Sequence, residues 1–400
     1  MAFKINDSVT WVGKTDWELR RFHGEELSTH RGSSYNSYLV RGSEKTVLID
    51  TVWRPFAAEF LADLKKEIDL KDIDYIVANH GETDHSGSLP ELLREIPGTP
   101  VYCTSAGVKS LRGQYHEDWN FKPVKTGDKI DLGDGKELVF VEAKMLHWPD
   151  SMFCYLTGDS ILFPNDAFGQ HYATEYLFND LVDQNELYDE AIKYYANILT
   201  PFSKLVTAKI KEVVGMNLPV DMICPSHGVI WRKDPLQIVN KYLEWADNYQ
   251  ENQVTIVYDT MWDGTRKAAE AIAAGIKEAN KTINIKLFNA ARSDTNDIIT
   301  EIFKSKGIVV GSPTINKGVL HSIAALTDIA KGLNFQAKKG AAFGCYGWSG
   351  ESVKIINGLL EEAGFELINN EGLRMLWNPD EEAINKCLQF GKEIGSALAG

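Results

Sequence analysis

Six consecutive residues, His80-Gly81-Glu82-Thr83-Asp84-His85, place four ligand-type side chains in one short loop. The loop follows directly on DYIVAN, an apolar run of strand character, so all four can turn toward one point. Three further candidates stand in equivalent places: His147 after ELVFVEAKML, Asp166 after SILFPN and His227 after VDMICPS. Each lies just past the C-terminal end of an apolar strand, where sheet-based folds gather their active-site loops. Together they offer four imidazoles and three carboxylates, enough for two metal ions with one carboxylate free to bridge. Imidazole and carboxylate ligation without thiolate suits iron, manganese or zinc. Any one of these histidines alone reads more simply as a packed or exposed polar residue; the seven together, all at strand ends, point to a site.

A second constellation lies further along. The strand VTIVYDT runs into Thr260-Met261-Trp262-Asp263-Gly264-Thr265, and a helix follows at once. Hydroxyls and backbone N–H groups at a helix N-terminus form a phosphate cradle, with the helix dipole supplying positive potential. The Lys of a P-loop and the G-x-G-x-x-G of a dinucleotide loop are both missing. A cradle without a required basic residue resembles the way flavodoxins hold the phosphate of FMN, and the Asp263 side chain is expected to point away from it. Two more loops follow strands: Ser312-Pro313-Thr314-Ile315-Asn316 and Tyr346-Gly347-Trp348-Ser349-Gly350. Their glycines let backbone approach a flat ring, and Tyr346 or Trp348 offers an aromatic face to stack on it. A Thr- and Gly-rich turn is common by itself. Three such loops at the strand C-termini mark the place where an open parallel sheet binds its ligand.

The elements that must position these loops divide in two. Four hundred residues exceed one ordinary hydrophobic core, so two or three domains are expected. Through the first half, paired strands (SYNSYLV with KTVLIDT) alternate with amphipathic helices such as AAEFLADLKKEI, and a helical stretch runs from about Asn185 to Val214. After IVNKYLEWADNYQEN the rhythm becomes strand, loop, helix, through VTIVYDT, INIKLFNA, KGIVVGSPT and KKGAAFGCYG to a last helix expected from Pro379. Those strands are continuously apolar, which implies a parallel sheet covered by helices on both faces. The boundary is placed at 250, giving domains 1–250 and 251–400. The net charge of −14 argues against a nucleic-acid surface. No apolar run is long enough to span a bilayer, and the N-terminus lacks the apolar core of a signal peptide. The five cysteines form no C-x-x-C pair, which excludes a thiolate iron–sulfur centre within these residues and fits a reducing cytoplasm.

The series His80, Glu82, Asp84, His85, His147, Asp166 and His227, with a flavin-type domain after it, resembles the flavodiiron proteins over essentially the whole chain. The resemblance implies a metallo-β-lactamase-like αββα sandwich followed by a flavodoxin-like doubly wound parallel sheet. It implies FMN and two non-haem iron ions per subunit. His80, Glu82 and His147 would hold one iron, Asp84, His85 and His227 would surround the other, and Asp166 would bridge. Related hydrolases usually carry histidine where this chain has Glu82. An added anionic ligand stabilises ferric iron and so favours redox cycling over zinc hydrolysis. Tyr195 and His23 are candidate donors just outside the ligands.

The implied activity is electron transfer from an external carrier, rubredoxin foremost, through FMN to the irons, with O₂ reduced to water and/or NO to N₂O. The chain ends soon after its last helix, so the donor is expected to be a separate protein. A head-to-tail homodimer in the cytoplasm, with no nucleic-acid or membrane partner, completes the expectation. Two other classes compete with it. One is a zinc hydrolase carrying an accessory flavodoxin-like module; the other is an electron carrier whose metal site is vestigial.

Overall fold

A computed structural model describes residues 2–399. The chain separates into two compact units. The first runs through Tyr194 and resumes over Phe202–Leu243; the second takes Tyr195–Pro201 and everything from Glu244. The divide therefore falls inside the helix Leu236–Ala246 rather than at 250. Trp245, near the end of that helix, already packs on Tyr195 of the second unit, with ring centroids 5.6 Å apart.

The first unit holds two large sheets and two two-stranded ribbons, Lys14–Asp16 with Ser33–Tyr35 and Arg21–Phe22 with Leu27–Ser28. In spatial order the larger comprises Phe3–Lys4, Val9–Trp11, Tyr38–Arg41, Thr46–Ile49, Tyr75–Val77, Val101–Thr104 and Phe121–Val124. The smaller comprises Lys129–Gly133, Lys136–Glu142, Met152–Leu156, Ile161–Phe163 and Met222–Ile223. Alternation along the strands sorts the side chains. Val40, Val47, Ile49 and Val77 from the larger sheet meet Phe140, Cys154 and Phe163 from the smaller in one buried cluster. Leu39, Leu48 and Ile76 point the other way, onto Phe60, Leu61, Leu64, Leu92 and Leu93 of the helices Ala57–Glu67 and Leu89–Glu95. Period-two strands with both faces buried demand this layering. Ligand-bearing loops leave the C-terminal ends of Tyr75–Val77, Ile161–Phe163 and Met222–Ile223.

The second unit is the parallel sheet expected from its apolar runs. Its strand order is Asn284–Asn289, Gln253–Tyr258, Gly307–Gly311, Lys339–Tyr346, Glu366–Leu367. Numbered along the chain that is 2-1-3-4-5, the flavodoxin-like order, whose ligand crevice opens where strand direction of travel reverses. The segment FELINNEGLRMLW forms two short strands, Glu366–Leu367 and Leu373–Leu376, and both pair with Lys339–Tyr346. The helices Gly264–Ala279 and Glu381–Ala397 cross at glycine: a Cβ on Gly275 would come within 2.1 Å of the Leu388 carbonyl.

Two element boundaries differ from the sequence reading. The last helix begins at Glu381, because the Asp380 carboxylate accepts the Ala383 N–H at 2.9 Å and caps it. The stretch 185–214 is broken, with Gln184–Tyr194 and Ser203–Gly215 separated by a π-type turn over Tyr195–Leu199. Among the described residues no helix is long and apolar enough to cross a membrane.

Candidate metal centre and flavin cradle

All seven ligand-type residues of the first unit converge. The donor atoms of His80, Glu82, His147 and Asp166 lie within 4.8 Å of one another, as do those of Asp84, His85, Asp166 and His227. Asp166 belongs to both sets, and its two oxygens divide the work. Oδ2 lies 3.5 Å from His147 Nε2 and 3.8 Å from His80 Nε2, while Oδ1 lies 2.9 Å from His85 Nε2 and 3.4 Å from His227 Nε2. Glu82 Oε2 sits 3.1 Å from His80 Nε2 and 3.5 Å from His147 Nε2; Asp84 Oδ2 lies 3.1 Å from both His85 and His227 Nε2. The local chain explains part of this convergence. Glu82 stands at the N-cap position of the one-turn helix Thr83–Ser86, which brings Asp84 and His85 inward within four residues.

The donors fit metal rather than one another. Both Asp166 oxygens, Asp84 Oδ1 and His85 Nε2 are buried and make no hydrogen bond of acceptable geometry. Buried carboxylate oxygens without donors are costly unless a cation meets them. Electrostatics point the same way. Burial works against charge on Glu82, yet His23 and His80 hold its carboxyl well below the usual carboxylate range. Burial likewise opposes protonation of His227, but Asp166 and Asp84 push it up to about 10. A pocket that draws protons onto its ring nitrogens so strongly serves a divalent or trivalent cation better, since the same lone pairs can then ligate.

Partners outside the ligands set ring orientation. The Asp150 carboxylate sits 3.1 Å from His80 Nδ1 and accepts the Gly81 N–H at 2.7 Å. The Ser34 carbonyl lies 2.6 Å from His227 Nδ1, directing Nε2 to the cluster. Such carboxylate and carbonyl partners fix the tautomer and raise ligand basicity. Neither was signalled by the sequence, where Ser34 reads as part of the strand SYNSYLV.

The two flanking candidates fare differently. His23 is in place: its Nε2 lies 2.8 Å from Glu82 Oε1, the ring is partly exposed, and Phe22 stacks on it at 4.5 Å. Tyr195 is displaced. Its ring is fully buried against Trp245 and Phe303 of the second unit, and the tyrosine facing the cluster is Tyr194, 6.3 Å from His227 and 5.1 Å from His171. Consecutive helical residues point about 100° apart, so one position decides the matter. His171 also went unforeseen. It is buried beside His227 at 5.1 Å, with Nδ1 2.9 Å from Ser33 Oγ and Nε2 unpartnered. Burial and the neighbouring His227 hold it well below the usual imidazole value, so it stays neutral.

The second unit brings its three loops to the C-terminal ends of neighbouring strands. After Gln253–Tyr258 the Asp259 carboxylate accepts the Thr260 N–H at 2.7 Å and the Ser322 hydroxyl at 2.5 Å, fixing the turn. The hydroxyl oxygens of Thr260 and Thr265 are buried without partners, and the helix begins at Gly264 with its first N–H groups free of intrahelical acceptors. That arrangement suits an anion. Asp263 stands at φ 61° with its carboxylate 3.0 Å from Arg266 Nε, an exposed pair. Thr314 is wired into the scaffold through its N–H to the Cys345 carbonyl (2.9 Å) and its hydroxyl to Ser352 Oγ (3.0 Å). Ile315 and Gly318 close a tight hairpin over Asn316 and Lys317, both at positive φ. Gly347 carries the Trp377 ring directly on its backbone: a Cβ there would lie 2.7 Å from the indole. Trp262 and Trp348 are 88% and 87% exposed, and Trp348 stands 6.4 Å from Trp377. Large bare indoles around a backbone cradle suit a flat aromatic ligand. Trp377 is a further addition; it stands just past the four-residue strand Leu373–Leu376, too short to be read from the sequence.

Comparison with known proteins bears on the family and its cofactors. Residues 34–228 match the family described as ODP family beta lactamase, and residues 256–391 match the flavodoxin family. Over all 400 residues the chain is 55% identical to the anaerobic nitric oxide reductase flavorubredoxin of Klebsiella pneumoniae, spanning 82% of that protein. Its Escherichia coli counterpart is also 55% identical, with 83% spanned. Among solved structures, rubredoxin oxygen:oxidoreductase from Desulfovibrio gigas aligns with a TM-score of 0.95 at 36% identity, covering 100% of this chain and 98% of that one. The flavodiiron protein from Giardia intestinalis aligns with a TM-score of 0.94 at 31% identity, covering 100% and 97%. The family implies a di-iron centre and FMN, for which the two donor sets and the cradle are the candidate places. The chain belongs to the flavodiiron protein family, as an oxidoreductase with a lactamase-like unit followed by a flavodoxin-like one.

Proposed function

We propose that this protein is a reductase of small diatomic oxidants, drawing electrons from a rubredoxin-type carrier. Two NO, two electrons and two protons give N₂O and water; O₂ with four of each gives two waters. NO stands first, because the relatives named nitric oxide reductase share 55% identity over the whole chain, against 36% for the one named for oxygen. The printed names flavorubredoxin and rubredoxin oxygen:oxidoreductase support rubredoxin as donor. When bound, FMN supplies one-electron steps and the iron pair supplies a place for a diatomic to be reduced.

The residues divide as follows in this reading. His80, Glu82 and His147 would hold one iron and Asp84, His85 and His227 the other, with Asp166 shared between the two sets. Thr260, Gly264 and Thr265, with the Met261-Trp262-Asp263 turn, hold the FMN phosphate. Pro313 to Asn316 and Tyr346 to Gly350 border the ring. His23, partly exposed and hydrogen-bonded to Glu82, is placed to bring protons from solvent to the cluster. Tyr194 and His171 wall the pocket beside His227 and keep bulk water from it. A head-to-tail homodimer in the cytoplasm remains part of the proposal.

The observation that carries this reading is Glu82, an anionic donor 12% exposed at the centre of the first ligand set. The rival zinc hydrolase needs neutral histidine there and has no use for the cradle. Metal and flavin analysis, followed by steady-state consumption of NO and of O₂ with reduced rubredoxin, tests it. Iron, FMN and turnover are expected. Two zinc ions, hydrolytic activity and no gas consumption would overturn the proposal.

A further inference from the structure

Three ligands are each preceded in sequence by a buried polar residue: Asn79 before His80, Asn165 before Asp166 and Ser226 before His227. All three connect to one carboxylate. Asp50, 3% exposed at the end of the strand Thr46–Ile49, accepts the Asn79 N–H at 2.8 Å on Oδ1 and the Asn79 side-chain amide at 3.0 Å on Oδ2. Its Oδ2 also accepts the Asn165 side-chain amide at 3.3 Å. That amide reaches on to Ser226 Oγ at 3.1 Å, while the Ser226 N–H returns to the Asn165 carbonyl at 2.8 Å. The next residue adds a fourth spoke: Thr51 donates both its N–H (2.7 Å) and its hydroxyl (2.8 Å) to the His85 carbonyl.

The hub itself is rigidly set. Asp50 holds φ 55°, its N–H bonds the Val77 carbonyl at 2.8 Å, and its carbonyl accepts the Ser37 hydroxyl at 2.8 Å. A non-glycine residue in the left-handed region persists only where its surroundings over-determine it. No spoke touches a ligand side chain: they reach the Asn79 N–H and the His85 carbonyl directly, and the loops of Asp166 and His227 through the side chains of the residues that precede them.

We propose that Asp50, with Thr51, is the positioning hub of the metal centre, fixing the backbones of His80, His85, Asp166 and His227 relative to one another. Its role is to preset the distance between the two ligand sets before metal arrives. The inference rests on the dinuclear reading of the cluster, and wild-type uptake of two Co²⁺ tests that reading on its own.

The test is Co²⁺ titration of the metal-free, FMN-loaded protein, followed by visible ligand-field spectra and chelator competition. Asp50→Asn puts an amide N–H₂ against the donors of Asn79 and Asn165, and is expected to weaken Co²⁺ binding roughly 10- to 100-fold, the range for partners outside the ligand shell. A second variant guards against misfolding. Asn165 sits at φ 54°, where glycine is at ease, so Asn165→Gly removes the amide spoke without straining the turn. It is expected to keep wild-type thermal stability and FMN content while altering the Co²⁺ spectrum and accelerating metal loss. If both variants bind two Co²⁺ with wild-type affinity and spectrum, the hub is wrong. If wild type binds fewer than two, the dinuclear reading fails instead.

Discussion

The two sites of this molecule are built from opposite materials. The metal centre consists of side chains, and five of its seven ligand-type groups are at most 3% exposed. The flavin cradle consists of backbone N–H groups and hydroxyls, rimmed by indoles that are almost wholly bare. Buried charge demands a counter-charge within a few ångströms, so the metal centre specifies its occupant through electrostatics. A cradle of peptide groups specifies by shape, and tolerates many side chains provided the turn survives. Substitutions at the two sites should therefore differ in severity and in what is lost.

The largest effect is expected from Asp166→Ala, which removes the one residue common to both ligand sets. Iron should fall toward zero with FMN retained, and NO or O₂ consumption should drop by at least about a hundredfold, the loss already seen for partners outside the ligand shell. Paired iron and flavin assays check it, and a variant that kept both irons would break the assignment. The flavin counterpart is Thr265→Val. Losing one hydroxyl donor to a charged phosphate costs about 1.5–3 kcal/mol, hence roughly 10- to 100-fold in FMN affinity. Fluorescence titration of the flavin-free protein measures this, and iron content should not move. Were iron lost as well, the two sites would not be separable by side chain.

A third substitution sharpens the contrast by testing a buried charge that serves neither site. Lys338 donates to the carbonyls of Tyr249, Phe303 and Ser305 at 2.7–2.9 Å. Lys338→Met leaves these acceptors bare and should cost about 1–3 kcal/mol of stability with both cofactors retained. Burial pushes the Lys338 ammonium from its ordinary 10.5 down to about 7. Between those values the folded chain binds fewer protons than the unfolded one, so wild-type stability should rise with pH across that window. The methionine variant should lose that slope, as read by denaturant titrations at several pH values. The smallest effect is expected from Asp263→Asn, whose side chain faces Arg266 in an exposed pair. FMN affinity should stay within about a factor of three, since such pairs contribute little; a large loss would make the carboxylate part of the cradle.

The same contrast decided what could be read from sequence. A lone histidine or carboxylate past an apolar strand carries little weight, but seven of them at strand ends have few structural uses in common, so the candidate ligand set was legible as a group. Asp50, Asp150 and Ser34 were not, because their role depends on which loops meet in space. Tyr194 was missed by one position: in a Tyr-Tyr pair the helix phase decides which ring turns inward, and the π-type turn at Tyr195–Leu199 lies just where that phase changes. Continuous apolar runs foretold a parallel sheet in the second unit. Its order, with Gln253–Tyr258 between the next two strands, depends on where each crossover helix lands and has no local signature. Trp377 escaped because Asn369 and Gly372 fold a tight turn that divides its segment into two short strands.

The unsatisfied oxygens of Asp166 carry one more consequence, which concerns supply. A group left without partners in the protein alone is free energy returned only when metal binds, and the unfolded chain, with ligands scattered from residue 80 to residue 227, offers no such site. Binding to the folded form alone stabilises it by mass action, about 4 kcal/mol per site when free metal exceeds the dissociation constant a thousandfold. Iron scarcity would then act on the first unit as a denaturant does. The lifetime of this protein in a starved cell would be set by its metal ligands before its catalysis was.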